Sequence, residues 1–222
     1  DRLRATGAFS EVAAGFLTGG LPVEEALAGL SATTVFIVPL FMSDGFFVRE
    51  RIPERLALTG PVTERDGRRL TYLPPPALDD RFGDLVVARC AALAGDRDPA
   101  ELDVLVVGHG TVKDPASETL TRRHAARLRG YRSVAPVFLE QEPGFLDALA
   151  ARTGDLLVAG LFAANGYHAD KDVRAALGLA VGQDDRIESN GHWIGYTGAI
   201  GADAGMTEII LAQVTRAAGS RD

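Results

Sequence analysis

The sequence predicts an α/β protein of two similar lobes, each a mainly parallel sheet flanked by helices, the two facing each other across a cleft. Three observations predict it. Apolar runs alternate with helical patterns along all 222 residues, the signature of α/β units. The two halves share an internal repeat: Val12-Ala-Ala-Gly-Phe-Leu17 aligns with Val134-Ala-Pro-Val-Phe-Leu139, and Leu40-Phe41 with Gly45 aligns with Leu161-Phe162 and Gly166. Finally, three apolar runs of the second half each end on a residue able to hold a metal or move a proton. Asp103-Val-Leu-Val-Val leads to Gly108-His109-Gly110, Ser133-Val-Ala-Pro-Val-Phe-Leu to Glu140, and Asp155-Leu-Leu-Val-Ala-Gly-Leu-Phe through Asn165-Gly166-Tyr167 to His168. Parallel strand ends share one edge of a sheet, the edge where open α/β folds bind ligands.

Strands are expected in the first half at 11–17 and 33–41, and helices at 22–30, 47–58 and 79–94. In the second half strands are expected near 103–107, 133–139 and 155–162, with helices at 115–129, 143–152, 169–177 and 203–217. Gly95-Asp-Arg-Asp-Pro99 is the best linker, giving lobes at 1–97 and 98–222. The opening Asp1-Arg-Leu-Arg reads as the end of a helix with no Met before it, so a first strand is expected upstream of the first lobe.

Composition removes several function classes. The net charge of −7 opposes general nucleic-acid binding. No apolar run is long enough for a membrane span, no signal peptide is visible, and the cytoplasm is the expected compartment. One cysteine cannot build a disulfide framework, a Cys-rich zinc site or an iron–sulfur cluster. Cys90 reads as a helix-core residue. No Gly-x-x-x-x-Gly-Lys-Ser/Thr or complete dinucleotide fingerprint is present, so no nucleotide cofactor is expected.

Each candidate site residue has a plain structural reading too. His109 could be a turn histidine between two glycines, and His168 a helix-start residue. Glu140 could complement a helix dipole, although Glu142 fits that role better because it precedes Pro143 at a helix start. The convergence of all three is more informative than any one. Thr18 and Phe47 stand in the first half at the places of Glu140 and His168, so only the second half is expected to carry chemistry. His124, on a charged helix, reads as solvated, and His192 as part of a turn beside Trp193. Glu118 is spaced to pair with Arg122. Lys113 and Lys171, near the strand-end edge, are the better candidates for an anionic ligand.

These motifs resemble the class II chelatases of the CbiX/SirB type, the sirohydrochlorin cobalto- and ferrochelatases. The resemblance rests on Val104-Leu-Val-Val-Gly-His-Gly-Thr111, on Val137-Phe-Leu-Glu140 with Glu142-Pro143, and on Leu161-Phe-Ala-Ala-Asn-Gly-Tyr-His168 followed by Asp170-Lys-Asp-Val. Val35-Phe-Ile-Val-Pro-Leu-Phe41 and Arg49-Glu-Arg-Ile-Pro53 extend it to the first half, as two fused copies. Thr111 stands where the family usually has Ser, Asn165 where it often has Gly, and one residue rather than two separates Glu140 from Glu142. That shortened spacing leaves open which of the two glutamates faces the ligand.

The resemblance implies ATP-independent insertion of a divalent metal into sirohydrochlorin or a related tetrapyrrole. Co²⁺ is favoured as the metal substrate over Fe²⁺ or Ni²⁺. It also implies roles. His109 is metal ligand and proton acceptor, His168 the second ligand, and Glu140 an assisting carboxylate. Glu142, Ala163, Ala164, Asn165, Gly166 and Tyr167 line the macrocycle, and Lys113 and Lys171 neutralise its carboxylates. Two imidazoles suit late divalent ions and leave coordination positions free. A siroheme ferrochelatase or nickel chelatase is the alternative within enzymes. A non-catalytic metal or tetrapyrrole carrier, or a two-lobed sugar or anion binder, is the alternative outside them. Monomer and homo-oligomer are both open.

Overall fold

The apolar runs at 103–107 and 155–162 become the two inner strands of a five-stranded sheet. Val104 to Val107 and Leu157 to Ala159 are all fully buried, as parallel strands covered by helices on both faces must be. The computed structural model describes residues 1–180 and 185–219. Its first elements are α1 (Arg2–Ala5), α2 (Val23–Ala28), β1 (Thr34–Ile37), a π-helical turn (Phe47–Arg51) running into α3 (Ile52–Arg55), β2 (Val62–Arg65) and β3 (Arg68–Tyr72). Then come α4 (Asp80–Ala94), β4 (Asp103–Gly108), α5 (Ala116–Ala125), β5 (Ser133–Phe138), α6 (Phe145–Ala150) and β6 (Leu156–Gly160). A second π-helical turn (Tyr167–Val173) leads into α7 (Arg174–Ala176), followed by β7 (Arg186–Ser189), β8 (His192–Ala199) and α8 (Gly205–Gly219). Among the described residues no helix is long and apolar enough to cross a membrane.

The larger sheet has the order β5-β4-β6-β8-β7 and the smaller β1-β3-β2. In the larger, β4 runs parallel to β5 and β6, β6 parallel to β8, and only β7 is antiparallel. In the smaller, β1 is parallel to β3 and β2 antiparallel to it. The smaller sheet therefore repeats the β6-β8-β7 half of the larger one. The repeat extends to detail: an isolated bridge joins Phe16 to Pro22 as another joins Phe138 to Gly144, and a π-helical turn follows β1 as one follows β6.

Two hairpins add to the expected elements. β2–β3 turns at Asp66-Gly67 and β7–β8 at Asn190-Gly191, and all four residues have positive φ, between 51° and 77°. Asp-Gly and Asn-Gly at such positions are the strongest short-range hairpin signals. His192 is thus the first residue of β8. The segment 11–17 corrects another expectation, since it forms no strand. Its counterpart β5 is an edge strand bonded only to β4, and among the described residues 11–17 has no such neighbour to ladder with.

The chain folds as two compact units that are discontinuous in sequence. One comprises 1–40, 44–76 and 204–222; the other 41–43 and 77–203. They differ from a single cut at 97. α4 packs on β6 and β8 of the second unit, burying Phe82, Val86 and Cys90 completely. Cys90 is a core residue as expected, and burial pushes its thiol up to about 12. α8 packs within the first unit, where Ile210 and Val214 meet Leu73, Phe36 and Val38.

His124 is not solvated. It is fully buried on α5, edge-on to Phe82 with ring centroids 5.1 Å apart, and its Nε2–H donates to the Ala77 carbonyl at 3.1 Å. The charges that suggested solvation lie on the other side of the helix: Arg122 pairs with Glu118 at 2.7 Å and Arg123 with Asp80 at 2.6 Å. Burial lowers the imidazole to about 4 from its ordinary 6.5. The unfolded chain takes up this proton near pH 6.5, whereas the folded chain resists it until about pH 4. Stability is therefore full above that window and falls through it, by roughly 3 kcal/mol at the bottom. Urea midpoints of wild type and His124→Phe at pH 7.5 and 4.5 should show a smaller pH dependence in the variant. Equal pH dependence would refute the assignment.

Candidate functional site

The Gly-His-Gly turn is built by close packing. A Cβ on Gly108 would lie 2.3 Å from the Thr121 hydroxyl oxygen, and one on Gly110 would lie 2.7 Å from both Phe138 Cβ and Gln141 Cγ. Gly110 also has φ +74°, which L side chains adopt at a cost. The backbone therefore leaves β4 pressed against α5 and the end of β5. The Gly110 N–H donates to Ser117 Oγ at 3.2 Å. Gly110→Ala should destabilise the second unit by about 2–4 kcal/mol and weaken metal binding through displaced His109. Thermal melts and a Co²⁺ titration check both, and a variant that matches wild type in each would contradict this packing argument.

The three sequence candidates do come together. The His109 and His168 rings lie 4.6 Å apart, centroid to centroid, nearly perpendicular at 83°. Glu140 Oε1 is 3.5 Å from His109 Nε2. The approach of Glu140 is fixed by backbone: its N–H donates to the His109 carbonyl at 3.0 Å, and that of Leu139 does so at 3.1 Å. All three side chains are partly exposed, so the group is open to solvent. The His109 Nδ1–H donates to the Gly110 carbonyl at 2.8 Å, which leaves Nε2 as the nitrogen with the free lone pair.

Glu140 stands beside His109, whereas Glu142 lies at the start of α6. Glu142 Oε2 accepts the Gly144 N–H at 2.8 Å, at the start of α6, the helix-start role its position suggested. Gln141, between them, is a residue that sequence reasoning missed. Its amide oxygen accepts the Thr111 N–H at 2.7 Å and its amide nitrogen donates to Glu118 at 2.8 Å. The turn after β4 and the loop after β5 are thereby tied together, holding Glu140 beside His109. The hydroxyl of Thr111 accepts from the Lys113 N–H at 3.3 Å.

Around this group Tyr167 is 63% exposed and Val112 87% exposed, an apolar rim on an otherwise polar edge. The Lys171 ammonium lies 4.6 Å from the centre of the Tyr167 ring, a cation–π distance. Asn165 Oδ1 accepts the Ala199 N–H at 3.1 Å, pinning the 163–167 turn to the end of β8. Ala164 and Gly166 are exposed there, and Ala163 is half-buried. Lys113 is exposed on the turn after β4. Asp172 was missed as well: its carboxylate accepts a hydrogen bond from His168 Nδ1–H at 2.8 Å. The i,i+4 spacing from His168 was the available signal. Among the described residues no three His, Cys, Asp or Glu side chains already converge as a ready-made metal site.

Two copies of one α/β plan, with paired imidazoles and a carboxylate at one sheet edge of the second, place the chain among the class II chelatases. The CbiX family model matches residues 1–93 and 103–217, and the chain belongs to that family. A probable sirohydrochlorin cobaltochelatase of Halobacterium salinarum is 27% identical over 237 residues, covering 95% of this chain and 81% of its own. A solved CbiX, described as the terminal enzyme for biosynthesis of siroheme in denitrifying bacteria, is 28% identical, with TM-score 0.65 over 82% of this chain and 75% of its own. Two structures share the fold at lower identity. SirB from Bacillus subtilis with Fe³⁺ is 18% identical, with TM-score 0.68 over 100% of this chain and 90% of its own. A multi-domain Deinococcus radiodurans protein with structural similarity to chelatases is 22% identical, with TM-score 0.74 over 95% of this chain. The chain spans 48% of that protein's length.

Proposed function

We propose that this chain inserts a divalent metal, Co²⁺ by preference, into sirohydrochlorin or a closely related tetrapyrrole without a nucleotide. The observation that carries the reading is the His109–Glu140–His168 group at the end of β4. Two donors bound about 2.1 Å from one ion in tetrahedral geometry sit about 3.4 Å apart; His109 Nε2 and Glu140 Oε1 are 3.5 Å apart. His168 is the second imidazole ligand. An open set of this kind suits an ion that is substrate, because it must be surrendered to the macrocycle.

The chemistry requires the macrocycle to lose two pyrrolic N–H protons as the ion enters. Glu140 is one acceptor at hand, and His109 Nε2 becomes the other once it has surrendered the ion to the ring, both open to solvent for onward release. Tyr167 and the exposed residues 164–166 offer an edge for the flat ring, and Lys113 and Lys171 offer ammonium groups for its carboxylates. The cobaltochelatase name of the Halobacterium relative supports Co²⁺. The first copy carries Thr18 and Phe47 at the places of Glu140 and His168, so in this reading the second copy carries the site.

Purified protein mixed with sirohydrochlorin and Co²⁺, Fe²⁺ or Ni²⁺, without ATP, should accelerate the absorbance change of metal insertion, most with Co²⁺. Acceleration with Fe²⁺ or Ni²⁺ instead would reassign the metal. Binding of both ligands without acceleration would make the protein a carrier.

A further inference from the structure

The two imidazoles of the site are oriented by different devices. His109 donates its Nδ1 proton to a backbone carbonyl, that of Gly110, and no side-chain substitution removes that acceptor. His168 donates its Nδ1 proton to the side chain of Asp172, 2.8 Å away and four residues along the same π-helical turn. A neutral imidazole carries one proton on its two nitrogens. Whichever nitrogen is engaged as donor leaves the other with a lone pair. In both rings Nδ1 is the donor, so Nε2 is the basic nitrogen in both.

We infer that Asp172 is the positioning residue of the site. It holds His168 in the Nδ1–H tautomer, fixes the ring beside His109, and makes Nε2 a better donor to a divalent cation. This rests on the reading of His168 as a ligand. A carboxylate behind a ligating histidine acts without touching the ion, by setting ring orientation and ligand basicity, and its removal costs about 10- to 100-fold in metal affinity. The carboxylate stands where it can do this: Asp172 and His168 are both about two-fifths exposed on the side chain, at the margin of the open group and not in the core. The substitution is therefore expected to change binding while leaving the fold intact.

The test uses the full chain with Co²⁺ alone as probe, in four variants: Asp172→Ala, Asp172→Asn, Asp172→Glu and His168→Ala. Co²⁺ affinity is read from ligand-field absorbance, and the imidazole tautomers from long-range ¹H–¹⁵N correlation spectra of the metal-free protein above the imidazole titration range. Asp172→Ala and Asp172→Asn should weaken Co²⁺ binding about 10- to 100-fold and move His168 out of the pure Nδ1–H form. Asp172→Glu should recover part of both, and His109 should keep its tautomer throughout. In the insertion assay the KM for the tetrapyrrole should stay near wild type while the dependence on Co²⁺ shifts. Co²⁺ affinity within twofold of wild type in Asp172→Ala, with the His168 tautomer unmoved, overturns the assignment. If His168→Ala also leaves Co²⁺ binding untouched, the ligand reading itself fails. If His168→Ala abolishes binding and Asp172→Ala does not, only the positioning role fails. Loss of the folded circular dichroism spectrum in both Asp172→Ala and Asp172→Asn would make the residue structural and likewise overturn it.

Discussion

His109→Ala is expected to lose metal insertion by at least about 100-fold, the lower range for removing a positioned acid–base group. It should also lose most Co²⁺ binding. His109 stands between the other two members, its ring 4.6 Å from that of His168 and its Nε2 3.5 Å from Glu140. Deleting it removes a ligand and a proton acceptor together. His168→Ala should cost nearly as much, and the double variant little more than either single one, because groups that act as a unit are not additive. Glu140→Gln should fall short of both, since it keeps a neutral oxygen donor while losing the charge. The fold should survive each change, because these side chains are partly exposed at the sheet edge. Calorimetry with Co²⁺, the insertion assay and thermal melts on the four variants test this. A double histidine variant that still binds Co²⁺ like wild type would sink the site.

A second large effect concerns where the chain can be divided. A fragment of residues 98–222 should fail to fold, whereas one of residues 77–203 should fold. The first fragment lacks α4, whose Phe82, Val86 and Cys90 are completely buried in the second unit. Burying three such side chains contributes about 2 kcal/mol each, a sum comparable with the whole stability of a small domain. The first fragment also retains α8, whose Ile210 and Val214 would lose Leu73 and Phe36. Near-ultraviolet circular dichroism and amide dispersion distinguish the fragments. Cooperative unfolding of 98–222, with a disordered 77–203, would show the boundaries to be wrong.

The strands that carry the site are legible in the sequence because their chemistry is local. Val104 to Val107 and Leu156 to Ala159 are apolar runs that can only be inner strands, and the residues just beyond each run lie at the sheet edge. The hairpins are equally local, announced by Asp66-Gly67 and Asn190-Gly191, yet β2, β3 and β7 are too short and too polar to stand out as apolar runs, and β8 is interrupted by Gly195 and Gly198. His124 escapes a reading by composition, which reports a helix and not its faces. Arg122 and Arg123 pair outward while Leu120, Thr121 and His124 face the core. The partner of α4 is not legible at all, because a helix with an apolar face fits the sheet before it or after it in the chain. Gln141 lies beyond composition too, since a polar residue that ties one loop to another looks in sequence like any solvated one, whereas Asp172 shows only in its i,i+4 spacing from His168.

The mirrored bridges, Phe16 to Pro22 and Phe138 to Gly144, and the paired π-helical turns have an evolutionary consequence. After a duplication, the two copies share the bends of the backbone, while the first carries Thr18 and Phe47 at the places of Glu140 and His168. Shape and chemistry thus drifted under separate constraints within a single gene. In such a lineage the first copy should tolerate changes of residue type at Thr18 and Phe47 that at Glu140 and His168 should cost metal insertion. Yet it should resist insertions and deletions as strictly as its twin.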